Sequence, residues 1–516
     1  MGSSIHPKRW KESDPRPAGR GVLWLSGAKL FFVLSGFVVQ FGLPRLFHAH
    51  PEQYGLLSAG MVLVTTLTNS MSASMVQTTS RLIAQAESAS AAKSFFFRHA
   101  LIGLGLALAF AIGSTPLATR WFRDLRLVPL FELGSLVVCS YAIYSTAIGV
   151  LNGKQRFMAQ ALLDALFSLL RTIGLLGGAW AAQSALSSMG GLATAAALAA
   201  ISGLALSLSR DASCAPPLGA HLQLLWRIAA YQLALNGLLQ LDLEFLGGAF
   251  SSKVSHLGPE KGAFLSAQAI ASYRAAQAIS FVPYQLLMGL ILTILPTISR
   301  AHVRGDFDAV RHSSALAIRG GAVFALGTLS VLASLANETV AFVFPPAFSQ
   351  AARVLPLLCA SQSAFCIAVL QATILIGCGE EKKVALFAGV ALGSGGIGWL
   401  LAWFFASVDA LPLWIGGATL FAHFLFALLT AILIKIRLGL LASLSSFMRL
   451  LPPALLTIAS GKLVRALPLA TPLALILLGG LFVLLAIAFG SLQPAELKIF
   501  VSGLRSSPRP SRHEPS

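Results

Sequence analysis

The chain has 516 residues, of which 56% are hydrophobic and 11% charged, whereas soluble domains are usually about 25% charged. A formal net charge of +18 would suggest a nucleic-acid partner in a soluble protein, but the cations lie in short connections between long apolar runs, which excludes that reading. Water cannot be the solvent for most of this surface.

Apolar runs of about 18 residues or more, long enough to cross a hydrocarbon core of about 30 Å, recur along nearly the whole chain. The predicted architecture is an all-α polytopic membrane protein of about 14 transmembrane helices, near residues 21–47, 55–79, 96–118, 127–150, 158–181, 189–209, 222–250, 265–298, 317–340, 351–376, 384–407, 411–434, 449–467 and 471–490. Residues 1–20 carry Lys8, Arg9, Lys11, Arg16 and Arg20 without a long apolar core, so they read as a cytoplasmic tail and not a cleaved signal. Residues 491–516 read as a second cytoplasmic tail. With both termini inside, most Lys and Arg fall on the cytoplasmic side, as the positive-inside rule requires. Arg120, Arg123 and Arg126, between the third and fourth spans, are the exception, read as pairing with Asp124 or facing anionic lipid. The thirteenth span is the weakest, interrupted by Pro452, Pro453, Lys462 and Arg465. Five cysteines, Cys139, Cys214, Cys359, Cys366 and Cys378, lack metal-type spacing and read as packing residues.

The sequence also repeats. Tyr54, Ser80 and Arg81 around the second span correspond to Tyr273, Ser299 and Arg300 around the eighth, all at an offset of 219. Val128, Gly153 and Arg156 correspond to Val354, Gly379 and Lys382 at an offset of 226. Six spans separate the matching elements, an even number, so the two halves share one orientation and form a parallel repeat, a transporter architecture with its substrate path between the halves. The expected domains are a six-helix lobe over 21–210, a second over 211–440 and an additional helix pair over 441–490.

Several segments resemble the polysaccharide flippases of the multidrug/oligosaccharidyl-lipid/polysaccharide exporter superfamily over about residues 20 to 440. They are PEQYGLLSAGMVL at 51–63, IGVLNGKQRF at 148–157, LDLEFLGG at 241–248, ASYRAAQAISFVPYQLLMGLILTILPTISR at 271–300 and LIGCGEEKK at 375–383. The resemblance implies a V-shaped or bundled transporter of the bacterial inner membrane. It would export an undecaprenyl-pyrophosphate-linked oligosaccharide by alternating access for surface polysaccharide biosynthesis, as a monomer and beside a polysaccharide polymerase and other assembly proteins. Lipid II flippases are the nearest rival, but their arginine-rich first-span signature is absent from GVLWLSGAKLFFVLSGFVVQFG.

Ionisable side chains at mid-membrane cost at least about 2.5 to 3.5 kcal/mol on insertion scales and often mark a pathway. Lys29, Arg171 and Arg274, from the first, fifth and eighth spans, are such residues, and a central cationic site made of them would suit a pyrophosphate. The alternatives are snorkelling for Lys29 and Arg274, and for Arg171 a structural pair with an acid from a neighbouring helix, since Asp164 shares its face but lies two turns away, roughly 10 Å along the axis. In the seventh span Gln232, Asn236, Gln240 and Glu244 recur at four-residue spacing on one helix face. Asn236 and Gln240 are candidate sugar ligands. Asp242 or Glu244 is the candidate ion-coupling carboxylate, for a proton or sodium; Asp242 occupies the family's acidic position, and both could instead be solvated at the outer end of the span. Arg81 and Arg300, at cytoplasmic helix ends, complement helix dipoles and the anionic leaflet or form a gate. His423 reads as a packing residue.

No phosphate-binding loop for ATP is visible, and no cofactor or metal is expected. An enzyme of polysaccharide assembly would have only His256 and Glu260, in a short outer loop over 251–264, as acid/base groups. A cation-coupled multidrug exporter would share the repeat, but a positive lumen repels cationic drugs. The expected partners are thus the lipid-linked substrate and membrane lipid, with no nucleic acid.

Overall fold

The computed structural model describes residues 15–85, 92–208, 217–439 and 442–492. Lys8, Arg9, Lys11, Cys214 and the tail beyond Leu492 lie outside them. Sixteen α-helices run through the described residues: α1 Pro15–Leu46, α2 Pro51–Gln85, α3 Ala92–Pro116, α4 Leu127–Gly153, α5 Phe157–Ala182, α6 Ala185–Ser207, α7 Leu218–Val254 and α8 Pro259–Ser280, followed by α9 Val282–Val303, α10 Phe307–Ser334, α11 Ala336–Val343, α12 Ala351–Gly377, α13 Glu381–Phe405, α14 Leu411–Leu438, α15 Ala442–Arg465 and α16 Thr471–Ala488. A helix satisfies its backbone polar groups internally, as a span in lipid must. Among the described residues, eleven helices are long and apolar enough to cross a membrane. Large apolar side chains point outward from them: Ile112, Trp180 and Phe405 are 78%, 77% and 75% exposed. That distribution fits hydrocarbon and not water as the surrounding solvent, and the chain is a multi-pass membrane protein.

The remaining three predicted spans are also helical but differ in form. The eighth, predicted as one run over 265–298, is two helices meeting at Phe281, because Pro283 near the start of α9 has no N–H to continue the hydrogen-bond ladder. The seventh is the polar α7, and the weak thirteenth is α15, which keeps Pro452 and Pro453 inside the helix. The predicted outer loop over 251–264 is mostly helix, closed by a turn at Gly258, whose φ of 92° favours glycine, before Pro259 opens α8. The ninth predicted span also divides, into α10 and the short α11.

The helices gather into two compact units. Unit 1 holds the chain through Leu46, Leu63–Leu117 and Leu125–Gln232; unit 2 holds Phe47–Val62, Ala118–Asp124 and the chain from Leu233. In unit 1, α4 packs on α3 and α6, and α5 packs on α1 and α6. In unit 2, α12 packs on α10 and α14, and α13 packs on α14. The repeat offset maps α4, α5 and α6 onto α12, α13 and α14, so each unit is built on one helix-packing scheme. Equivalent helix ends also meet: Gly153 abuts Ser80 and Ile83, while Gly377 abuts Ser299 and Ile298. A close approach joins α5 to α6, where a Cβ on Gly174 would lie 2.3 Å from the Gly191 carbonyl oxygen, and one on Gly191 would lie 2.0 Å from that of Gly174. Small residues at membrane helix crossings serve this close approach. The C-terminal pair belongs to unit 2, where α15 and α16 pack on α10. Phe482 and Leu450 enter a shared apolar cluster with Ala322 and Leu326. Arg465 ties α15 to the α10–α11 break, donating to the Ser334 carbonyl at 2.7 Å and pairing with Glu338 at 3.2 Å.

Candidate functional site

Each unit carries a polar cluster inside its membrane helices. In unit 1, Asp164, Ser168 and Arg171 follow one another at four and three residues on one face of α5. Phe32 and Ser35 from α1 face them. Tyr144 on α4 donates to Asp164 Oδ1 at 2.6 Å, and Lys29 Nζ lies 3.8 Å from Oδ2. Ser35 and Ser168 join their hydroxyls between α1 and α5. The Arg171 guanidinium lies over the Phe32 ring, 4.5 Å from its centroid, in cation–π geometry. Gly36 leaves room beside it: a Cβ there would sit 3.8 Å from Nη2. Asp164 therefore pairs with Lys29 and Tyr144 and not with Arg171. Among the described residues no carboxylate lies within 4.0 Å of Arg171, and its buried Nε has no hydrogen-bond partner.

In unit 2 the cluster centres on Asp242 of α7, which is 1% exposed. Four donors address its carboxylate: Tyr273 Oη at 2.7 Å and Gln277 Nε2 at 2.9 Å from α8, the Leu243 N–H at 2.9 Å, and Thr419 Oγ1 at 3.3 Å from α14. Trp399 of α13 donates to Thr419 at 3.0 Å. Tyr273 and Gln277 are one helical turn apart, so one face of α8 presents both. Arg274 donates from Nη1 to Gln277 Oε1 at 3.2 Å and lies 5.8 Å from the Phe281 ring centroid. No Lys or Arg among the described residues lies within ion-pair distance of Asp242, and Arg274 reaches it only through the Gln277 amide.

Lys29 and Arg171 thus stand together in unit 1, with Arg274 in unit 2. Asp242 and Glu244, 1% and 4% exposed, are both buried and not solvated at the end of the span. They turn to different neighbours, as two positions on one helix must: the main-chain carbonyl of Glu244 accepts from Trp121 Nε1 at 3.0 Å, beside Trp403 and Phe245. Asn236 and Gln240 are each 8% exposed. Arg81 and Arg300 are exposed near the C-terminal ends of α2 and α9, and Arg300 donates to the Pro296 carbonyl of its own helix at 3.2 Å. His423 is fully buried, with Nε2 bonded to the Leu238 carbonyl and Nδ1 to Ser361 Oγ. Among the described residues, no group of three or more His, Cys, Asp and Glu could hold a metal ion. Gln277, Thr419, Trp399 and Tyr144 were not singled out by the sequence; Tyr273 stood out only as a repeat marker.

The fold is that of transporters of the MOP superfamily. A lipid II flippase, MurJ, solved in an inward closed conformation, matches with a TM-score of 0.69 over 94% of this chain and 100% of its own, at 14% identity. An inward-facing multidrug resistance MATE family transporter of the MOP superfamily matches at 0.60 over 81% and 98%, with 13% identity. A mutant of the Vibrio cholerae MATE transporter VcmN matches at 0.57 over 82% and 98%, with 16% identity. No protein-family model and no curated protein sequence matches the chain.

Proposed function

We propose that this protein is a flippase that moves an undecaprenyl-pyrophosphate-linked oligosaccharide across the bacterial inner membrane by alternating access, with both termini in the cytoplasm. The observation that carries this reading is Arg171. A guanidinium inside a membrane helix, with no carboxylate within 4.0 Å of it among the described residues, is costly unless water or an anionic cargo meets it. Its planar fork matches phosphate oxygens. Lys29 beside it, and Arg274 in unit 2, add cationic groups for the pyrophosphate; Asn236 and Gln240 are assigned to sugar hydroxyls, and Asp242 or Glu244 to ion coupling. Arg81 and Arg300 draw the anionic head group to the cytoplasmic side.

The test uses vesicles containing the purified protein and a fluorescent undecaprenyl-pyrophosphate oligosaccharide, with an external glycosidase reporting its arrival. Protein-dependent exposure is expected; none, under any ion gradient, sinks the reading. A second reading, lipid II as the cargo, is supported by the MurJ likeness, which spans 94% of the chain against 81% and 82% for the two MATE transporters. That difference is large enough to hold the C-terminal pair. The missing first-span arginines weigh against it, and lipid II placed in the same vesicles discriminates the two. Cationic drugs are disfavoured as cargo because a cation repels them.

A further inference from the structure

Asp242 and Arg274 carry opposite charges in one unit and do not touch. Between them lies one amide, with Nε2 2.9 Å from Asp242 Oδ1 and Oε1 3.2 Å from Arg274 Nη1. We propose that Gln277 is a positioning residue through which the occupancy of Arg274 by a phosphate anion and the protonation of Asp242 control one another. The inference rests on the reading of Arg274 as a ligand of the pyrophosphate.

An ionised Asp242 holds the amide with its N–H₂ inward, and the carbonyl then occupies part of the Arg274 donor fork. A protonated Asp242 accepts more weakly and holds the amide less firmly, and the fork is more readily released to phosphate. Conversely, an anion on Arg274, which also faces the buried Tyr54 hydroxyl of α2, offsets a positive charge on the far side of the amide and favours protonation of Asp242. Reciprocity of this kind is a thermodynamic requirement. The other groups facing Asp242 do not make this link. Tyr273 addresses the carboxylate, Thr419 divides its hydroxyl between the carboxylate and the Ile415 carbonyl of its own helix, and Trp399 addresses Thr419. His423, one turn further along α14, is committed to Leu238 and Ser361. Glu244, two positions along α7, has its main-chain carbonyl on Trp121.

The experiment titrates the purified full-length protein in lipid nanodiscs with inorganic pyrophosphate by calorimetry, at several pH values and in two buffers of different ionisation heat. Asp242→Asn supplies the baseline for the titration of pyrophosphate itself. Wild type is expected to take up protons beyond that baseline, with affinity rising toward acid pH by a further factor on the order of 5 to 100. Gln277→Met, and Gln277→Asn, whose shorter amide cannot reach both partners, are expected to bind pyrophosphate with the Asp242→Asn proton count. Thr419→Val, which removes a donor to Asp242 but not the bridge, is expected to keep the wild-type linkage. Wild-type linkage in the Gln277 variants, or its loss in Thr419→Val, overturns the role of Gln277. An absence of pyrophosphate binding, or binding unchanged in Arg274→Gln, overturns the underlying reading of Arg274 and the inference with it.

Discussion

Asp164 is held by a 2.6 Å hydrogen bond from Tyr144 and a 3.8 Å ion pair with Lys29, whose side chain is 56% exposed. These partners differ in weight. A hydrogen bond to a charged, nearly buried group contributes about 1.5 to 3 kcal/mol, so Tyr144→Phe should lower stability by about that much in a reversible unfolding assay. An exposed ion pair contributes about 0 to 1 kcal/mol, so Lys29→Ala should change stability little; a larger loss than in Tyr144→Phe would reverse the ranking. At this scale the sequence shows charges more readily than their partners. Lys29, Arg171, Arg274 and Asp242 stand out because each interrupts an apolar run. Tyr273 and Thr419, which hold Asp242, lie 31 and 177 residues from it and resemble ordinary helix residues. Asp164 shares a face of α5 with Arg171 but stands two turns away, and the packing of α1 on α5 brings Lys29 to that carboxylate. Such a contact depends on which helices are neighbours, and a local pattern does not specify that.

At the scale of elements, the α5–α6 crossing is closed by backbone meeting backbone at Gly174 and Gly191. No side chain there can rotate out of the way of a new methyl group. Gly174→Ala and Gly191→Ala should therefore cost at least the 1 to 3 kcal/mol or so typical of overpacking, read as a loss of monodisperse protein on size exclusion and a lower unfolding midpoint. Gly177→Ala, one turn from Gly174 and open to at least 4 Å, is the control and should be neutral or mildly stabilising. The long apolar runs were legible because a bilayer fixes both their length and their composition. The ends were less so. Pro283 is visible in the sequence, but the run over 265–298 is apolar on both sides of it, and hydropathy cannot see a missing N–H. The loop expected over 251–264 is helical because polar residues just outside a membrane can continue a helix until Gly258 turns the chain.

At the scale of the whole molecule, the parallel repeat read from a few helix-end residues agrees with one packing scheme in both units. The polar contents of the units nevertheless differ. Unit 1 presents Arg171 over an aromatic ring, with an acid–base pair beside it, whereas unit 2 presents a fully hydrogen-bonded carboxylate linked to Arg274 through an amide. This asymmetry within a symmetric frame is what the proposed function uses, with the anion assigned to both halves and proton sensing to one. The sugar of the proposed cargo is not legible in the residues, because amides such as Asn236 and Gln240, proposed to meet its hydroxyls, would not distinguish one hexose from another.

The most direct measurement is the rate at which vesicles containing wild-type protein or Arg171→Gln expose the lipid-linked oligosaccharide to an external glycosidase, with equal amounts of folded protein verified in each preparation. The account predicts protein-dependent exposure by wild type and at least a tenfold slower rate for the variant, about 1.4 kcal/mol of lost interaction with the pyrophosphate in the rate-limiting step. Equal rates for the two proteins would contradict it.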